Sequence, residues 1–240
     1  IKYSIALITC LALSVPAVAQ RSTRSQGEVP LPKAKKAAQE QTVPHRSKKR
    51  SPQNTGVVAG QIRPRVFLNP GHGGHDSDDR PCPFYNEGMQ ARVEYYESDS
   101  NLKGAMAMKD ILRSRGYEVF MSRVNNTTDD DLNLFEIHQL ALNSGADVFF
   151  AVHSNSSGSA TRRVNFPFAI YRGYDGGGTA EGSEELAGIV ASNLADCEAT
   201  SWSRGGLTHG DWSFYRNRSG LGVFRWNKLP GILVENCFHD

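Results

Sequence analysis

From residue 62 onward, apolar positions alternate between compact runs and stripes at helical spacing. Val66, Phe67 and Leu68 form a continuous apolar run, the pattern of a strand buried on both faces. The run empties into the turn Pro70-Gly71-His72-Gly73-Gly74. Residues 75–96 are polar, carry Pro81 and Pro83, and exceed the usual loop length, which predicts a functional loop. Leu102, Ala105, Met108 and Leu112 then recur at helical spacing and predict a helix over 98–115, with Gly116 suited to stop it. A strand over 117–121 and a polar turn over 125–131 follow. Leu134, Ile137 and Ala141 share one face of a helix over 132–143. Next come a strand over 147–152, a strand over 168–171, a glycine-rich loop over 175–178 and a helix over 183–196. Residues 197–220 show no period, and a last strand covers 232–235. Strands alternating with helices predict an α/β fold: one domain with a mostly parallel sheet flanked by helices and no internal repeat.

The front of the chain is different. Lys2 precedes an apolar run from Ile5 to Val15, and Ala17-Val18-Ala19 supplies a small-x-small cleavage pattern. Residues 1–19 therefore read as a signal peptide. The run is too short to span a bilayer, so no stable membrane span is expected after processing. Residues 20–60 hold nine Lys and Arg against Glu28 and Glu40, a balance of +7. From residue 61 the balance is −6, and that asymmetry marks a boundary. The basic stretch is poor in large apolar residues and reads as a disordered linker, suited to contact an anionic envelope surface. The folded domain is then 61–240. The first residue is Ile1, and the last strand stops close to Asp240, so a further C-terminal element is expected. Export permits a disulfide among Cys82, Cys197 and Cys237, but their spacing fixes no pairing.

The candidate chemistry lies where strands end. In open α/β sheets, ligands collect outside the carboxyl ends of strands. His72 and His153 follow two such strands, and Glu235 ends a third. A catalytic zinc takes three protein ligands and leaves a position for water. With two imidazoles in hand, Glu94 and Glu97 are the carboxylate candidates. Glu97 is favoured because a helix start fixes a side chain more firmly than the stretch before it. Glu235 is left as the base for an attacking water, and burial would raise its pKa toward neutrality.

Four blocks carry a resemblance. They are Leu68-Asn69-Pro70-Gly71-His72-Gly73-Gly74, Glu97-Ser98-Asp99-Ser100-Asn101-Leu102, Ala146-Asp147 through His153-Ser154-Asn155, and Glu235-Asn236-Cys237-Phe238. Together they resemble the zinc-dependent N-acetylmuramoyl-L-alanine amidases of the amidase-3 type. Met121-Ser122-Arg123 also stands where that family carries Thr-Arg. The resemblance settles Glu97 over Glu94. It implies Zn2+ on His72, Glu97 and His153, with Glu235 as catalytic carboxylate. It also implies peptidoglycan as substrate, cut between muramic acid and L-alanine by a periplasmic or cell-wall-associated enzyme. Three positions depart from the family pattern. Asn69 replaces an aspartate that can orient the zinc histidine, His138 replaces an arginine, and Cys237 replaces a glycine.

The remaining motifs point elsewhere less well. The 71–74 turn lacks the Lys-Ser/Thr of a phosphate loop. Cys237 beside His239 would leave both strand-end histidines unexplained. His75, His138 and His239 read as surface or packing residues, and His209 as a weaker candidate for contact with substrate. Tyr95, Tyr96, Trp212 and Trp226 suit either packing or a glycan groove. Nothing indicates nucleic acid, and an activator protein stays open. The alternative readings are a cell-wall-binding protein without turnover and a zinc peptidase acting within the stem peptide.

Overall fold

The computed structural model describes residues 63–76, 78–79, 82–86, 91–156, 165–197 and 207–238. The signal peptide and basic linker expected over 1–60 lie outside the described residues, as do the side chains of Cys82 and Cys197.

Six strands form the central sheet: β1 (Val66–Pro70), β4 (Val119–Met121), β5 (Val148–Asn155), β6 (Phe168–Tyr171), β9 (Leu207–Gly210) and β10 (Gly231–Phe238). Their order is β4-β1-β5-β10-β6-β9. Every pairing is parallel except β10 with β6, so the sheet is mostly parallel as the alternating pattern predicts. β1 and the apolar halves of β5 and β10 are buried on both faces, which is why they read as unbroken apolar runs.

Helices cover both faces. On one side Val66, Leu68, Val148, Phe150 and Ile232 pack with Leu112 of α1 (Glu97–Ser114) and Leu186 and Val190 of α3 (Ser183–Cys197). On the other, Phe67, Phe149 and Leu233 meet Ile137 and Ala141 of α2 (Leu134–Ser144) and Val223 and Phe224 of a 3-10 turn. Phe67 and Phe149 stack at 5.9 Å between ring centroids. Removing so fully buried a ring costs about 3–5 kcal/mol.

Several boundaries shift for local reasons. α2 starts at Leu134 rather than 132, because Asn133 accepts from the amides of Phe135 and Glu136 while Glu136 accepts from the Asn133 amide. Gly145, at φ 68°, closes it, and Gly116, at φ 81°, follows α1 as its composition predicts. The polar stretch 75–96, read as a loop, contains a two-stranded antiparallel hairpin of β2 (Cys82–Asn86) and β3 (Ala91–Tyr95). Prolines disguised it, yet a two-stranded ribbon has two edges and tolerates them. β9 falls in the segment without a period and pairs only with β6, as an edge strand carrying a single β-branched residue, Thr208. β10 runs past Glu235 to Phe238, with a register shift between the two. A small hairpin, β7 (Gly173–Tyr174) with β8 (Gly177–Gly178), the short α4 (Asp211–Phe214) and a 3-10 turn at Thr128–Asp130 complete the described elements. Among the described residues, no helix is long and apolar enough to cross a membrane.

Candidate active site

β1, β5 and β10 are neighbours, and their carboxyl ends open at the same edge of the sheet. His72 sits two residues past β1 in the left-handed region, at φ 57°, within its glycine-rich turn. The turn is tied down by the Gly71 amide, which donates to the Val152 carbonyl at 2.9 Å. A Cβ at Gly71 would lie 2.1 Å from Cε1 and Nε2 of His153. Glycine there is what lets the two imidazoles approach, edge to face, with centroids 5.2 Å apart.

Glu97 is the first residue of α1, a place without a local side-chain cap. Asp79 fills that role from the preceding chain, accepting from the amides of Glu97 at 3.0 Å and Ser98 at 3.3 Å. A buried carboxylate on a helix N-terminus satisfies orphan donors and complements the helix dipole. Glu97 then projects between the histidines. Its Oε1 lies 2.8 Å from His153 Nδ1, and its Oε2 lies 3.3 Å from His72 Nε2. Asn101 Nδ2, one helical turn on, donates to Oε1 at 3.0 Å, and the Ser154 amide does so at 3.2 Å. Candidate donor atoms of His72, Glu97 and His153 all fall within 4.8 Å of one another.

The charges follow from this packing. Burial would raise the pKa of Glu97, but hydrogen bonds to His153 and His72 outweigh it and hold the carboxyl well below the usual range. Burial would lower His72, but Glu97 and Asp78 outweigh it and push the imidazole up to about 9. Among the described residues, no hydrogen bond to Glu235 offsets its burial. Its Oε2 is buried without a hydrogen-bond partner, and burial pushes the carboxyl up to about 7. Glu235 pairs with His153 in the β10–β5 register, and Asn236 Nδ2 donates to the His153 carbonyl at 3.0 Å.

Arg123 braces the turn from beneath. It is 5% exposed, and its guanidinium donates to the carbonyls of Pro70, Gly71, Ser98 and Asn125. One side chain thus joins the His72 turn to the start of α1. Asn69, which stands where the family has an aspartate, accepts through Oδ1 from Ser122 Oγ at 2.7 Å. Asp78 stands beside the imidazole, with Oδ2 3.3 Å from His72 Nδ1. A carboxylate there fixes ring orientation. Asp78 and Asp79 escaped sequence reasoning because they lie in a run of polar residues with no pattern of its own.

Other singled-out residues lie elsewhere. His75 stacks on Tyr96 at 3.6 Å and meets Asp99. His209 contacts Asp175 and Phe168, and Trp212 packs against Tyr174 and Arg172. His138 is buried, with Nε2 donating to the Val223 carbonyl and its ring near Phe149. The side chain of Glu94 and all of His239 lie outside the described residues. Beside the His72–His153 pair opens a groove of about 560 Å³, lined by Asp78, Asp130 and Asp131 on one hand and by Phe135, Val223 and Trp226 on the other.

Comparison with known proteins gives the family and the fold. Residues 66–240 match the Amidase_3 family, described as N-acetylmuramoyl-L-alanine amidase. The sporulation-specific N-acetylmuramoyl-L-alanine amidase of Bacillus subtilis is 29% identical over 177 residues. That match takes in 73% of this chain and 56% of the relative, so the chain spans little more than half of the relative's length. Among solved structures, Cwp6 from Clostridium difficile is similar at 26% identity and a TM-score of 0.56, over 73% of this chain and 24% of that one. The catalytic domain of CwlV, an N-acetylmuramoyl-L-alanine amidase from Bacillus (Paenibacillus) polymyxa var. colistinus, shares the fold at 23% identity and a TM-score of 0.51. It is matched over 73% of this chain and 80% of its own.

Proposed function

The chain belongs to the N-acetylmuramoyl-L-alanine amidase family, and on that premise we propose that it hydrolyses the amide between N-acetylmuramic acid and L-alanine in peptidoglycan. Zinc is the metal of this reading, held by His72, Glu97 and His153, with Glu235 as general base. The observation that carries it is the convergence of two imidazoles and a carboxylate at the edge of the sheet where Glu235, with its unpartnered Oε2, also ends its strand. Tetrahedral zinc with bonds of about 2.0–2.2 Å separates its ligand atoms by roughly 3.4 Å. Glu97 Oε2 lies 3.3 Å from His72 Nε2, near that spacing, while its Oε1 is 2.8 Å from His153 Nδ1, so the groups would part slightly to admit the ion.

When bound, zinc supplies Lewis acidity, polarising the scissile carbonyl and making the attacking water more acidic. Glu235 takes a proton from that water through its unpartnered Oε2 and returns it to the departing alanine nitrogen. A pKa near 7 suits a group that must do both. Asp78 orients the His72 ring, and Arg123 holds its turn against α1. The proposal extends to export, with residues 1–19 as signal and 20–60 as a basic tether for an anionic envelope surface.

The test is digestion of purified peptidoglycan by the full chain loaded with zinc, read by mass spectrometry. Released peptides beginning with free L-alanine, lost on chelation, support the amidase. Cleavage elsewhere in the stem would assign a peptidase, and intact linkages a binding protein.

A further inference from the structure

Taking the groove beside the histidine pair as the seat of the stem peptide, we infer that Asp130 and Asp131 in its lining select stems bearing a free side-chain ammonium. This inference rests on the amidase reading.

The groove is continuous with the proposed reaction centre, since His72 and His153 line it together with Leu134, Phe135, Val223 and Trp226. Its volume of about 560 Å³ is that of a site for a small ligand. Leu134, Phe135 and Trp226 keep 38, 49 and 40% of their surface exposed, although large apolar side chains at one site are normally covered. Phe135 and Trp226 meet edge to face at 5.7 Å. The walls are held in place from behind. Asn133 caps α2, His138 donates to the Val223 carbonyl, and Gly222 lies so near Leu134 that a Cβ there would sit 2.8 Å from its Cδ1. Such a groove is preformed for an extended chain with apolar side chains.

Charge decides which chain. Asp78, Asp130 and Asp131 line the groove, and Asp130 and Asp131 are half-buried. Arg123 is the basic lining side chain, and its donors are directed at backbone carbonyls and the Asn126 side chain. Arg225 stacks over Trp226 at 5.5 Å and does not line the groove. Asp78 already faces His72 at 3.3 Å, whereas Asp130 and Asp131 form no ion pair among the described residues. A peptide with a diamino acid side chain complements them, setting its ammonium on the acidic lining and its aliphatic stem on the apolar wall.

The experiment is calorimetric titration of the zinc-loaded full chain with the stem tripeptide L-alanyl-γ-D-glutamyl-L-lysine and with its Nε-acetyl form. The free ammonium should bind about fivefold more tightly, the scale of a partly exposed ion pair. The paired substitution Asp130→Asn and Asp131→Asn should erase that ratio. Phe135→Ala, at an exposed position, should weaken both peptides alike. Equal affinities in the unsubstituted protein, a ratio that survives the paired substitution, or no binding of either peptide would overturn the inference. Turnover on peptidoglycan is read on the same preparations. Cleavage without peptide preference removes this inference alone, and preference without cleavage removes the amidase reading alone.

Discussion

Glu235 and His153 stand opposite each other in the parallel register of β10 and β5. That pairing brings a carboxyl with a pKa near 7 to the edge of the sheet where His72 and Glu97 also gather. The two strands bring different chemistry to one place, a candidate metal ligand from β5 and a candidate base from β10.

Glu235→Gln keeps the shape of the side chain and removes its basicity. We expect turnover to fall roughly a hundred- to ten-thousand-fold, the usual worth of a general base. Zinc content, read by atomic emission, should stay at one ion per chain. Near-normal turnover would remove Glu235 from the mechanism.

The acid side of the pH profile should carry the same signature. A raised pKa leaves Glu235 protonated below about 7, where it can accept no proton, so kcat/KM falls as pH drops through that region. Positive charge on a bound metal draws the pKa down again, so the limb in the loaded enzyme lies at or below that value. The residual activity of Glu235→Gln should lack the limb. If the limb persists there, another group titrates.

Gly71→Ala tests the close approach of the two imidazoles. The new methyl would collide with the His153 ring, which must swing away from Glu97. Zinc stoichiometry should drop well below one while the far-ultraviolet circular dichroism of the metal-free protein stays unchanged. Full zinc loading would show that the ring has room the geometry denies it.

Asp79→Ala should act at two levels. It strips the acceptor from the first amides of α1, which costs about 1 kcal/mol, read as a lower thermal midpoint of the metal-free protein. It also loosens Glu97, and zinc affinity should fall roughly ten- to a hundredfold, as when a ligand's support is lost. A change in stability without a change in affinity would confine Asp79 to the helix.

The parts of the fold that show in the sequence are those governed by burial. Val66 to Leu68, Val148 to Val152 and Ile232 to Val234 are unbroken apolar runs because helices cover both faces, and their ends deliver His72, His153 and Glu235. Glu97 is legible because a helix stripe begins just after it. What escapes is contact between segments that share no pattern. The acceptor of the α1 cap lies 18 residues before the helix, in a polar run. The partner of His138 is a backbone carbonyl 85 residues away. Asp78 was hidden for a related reason: it reaches His72 from a polar run, while Asn69, nearer in sequence, bonds Ser122. The β2–β3 hairpin stayed hidden because its prolines carry the same signal as a loop.

The strand order has a temporal meaning. β10 is the last strand in sequence among the described residues, yet it fills the place between β5 and β6 near the middle of the sheet. Its partners β5 and β6 join the chain about 80 and about 60 residues earlier, and such distant pairings are slow to form. A nascent chain can hold His72, Glu97 and His153 before the strand carrying Glu235 has arrived. On the proposed reading, the candidate metal ligands His72, Glu97 and His153 would thus precede the candidate base Glu235, and hydrolysis would wait until the central strand is in place.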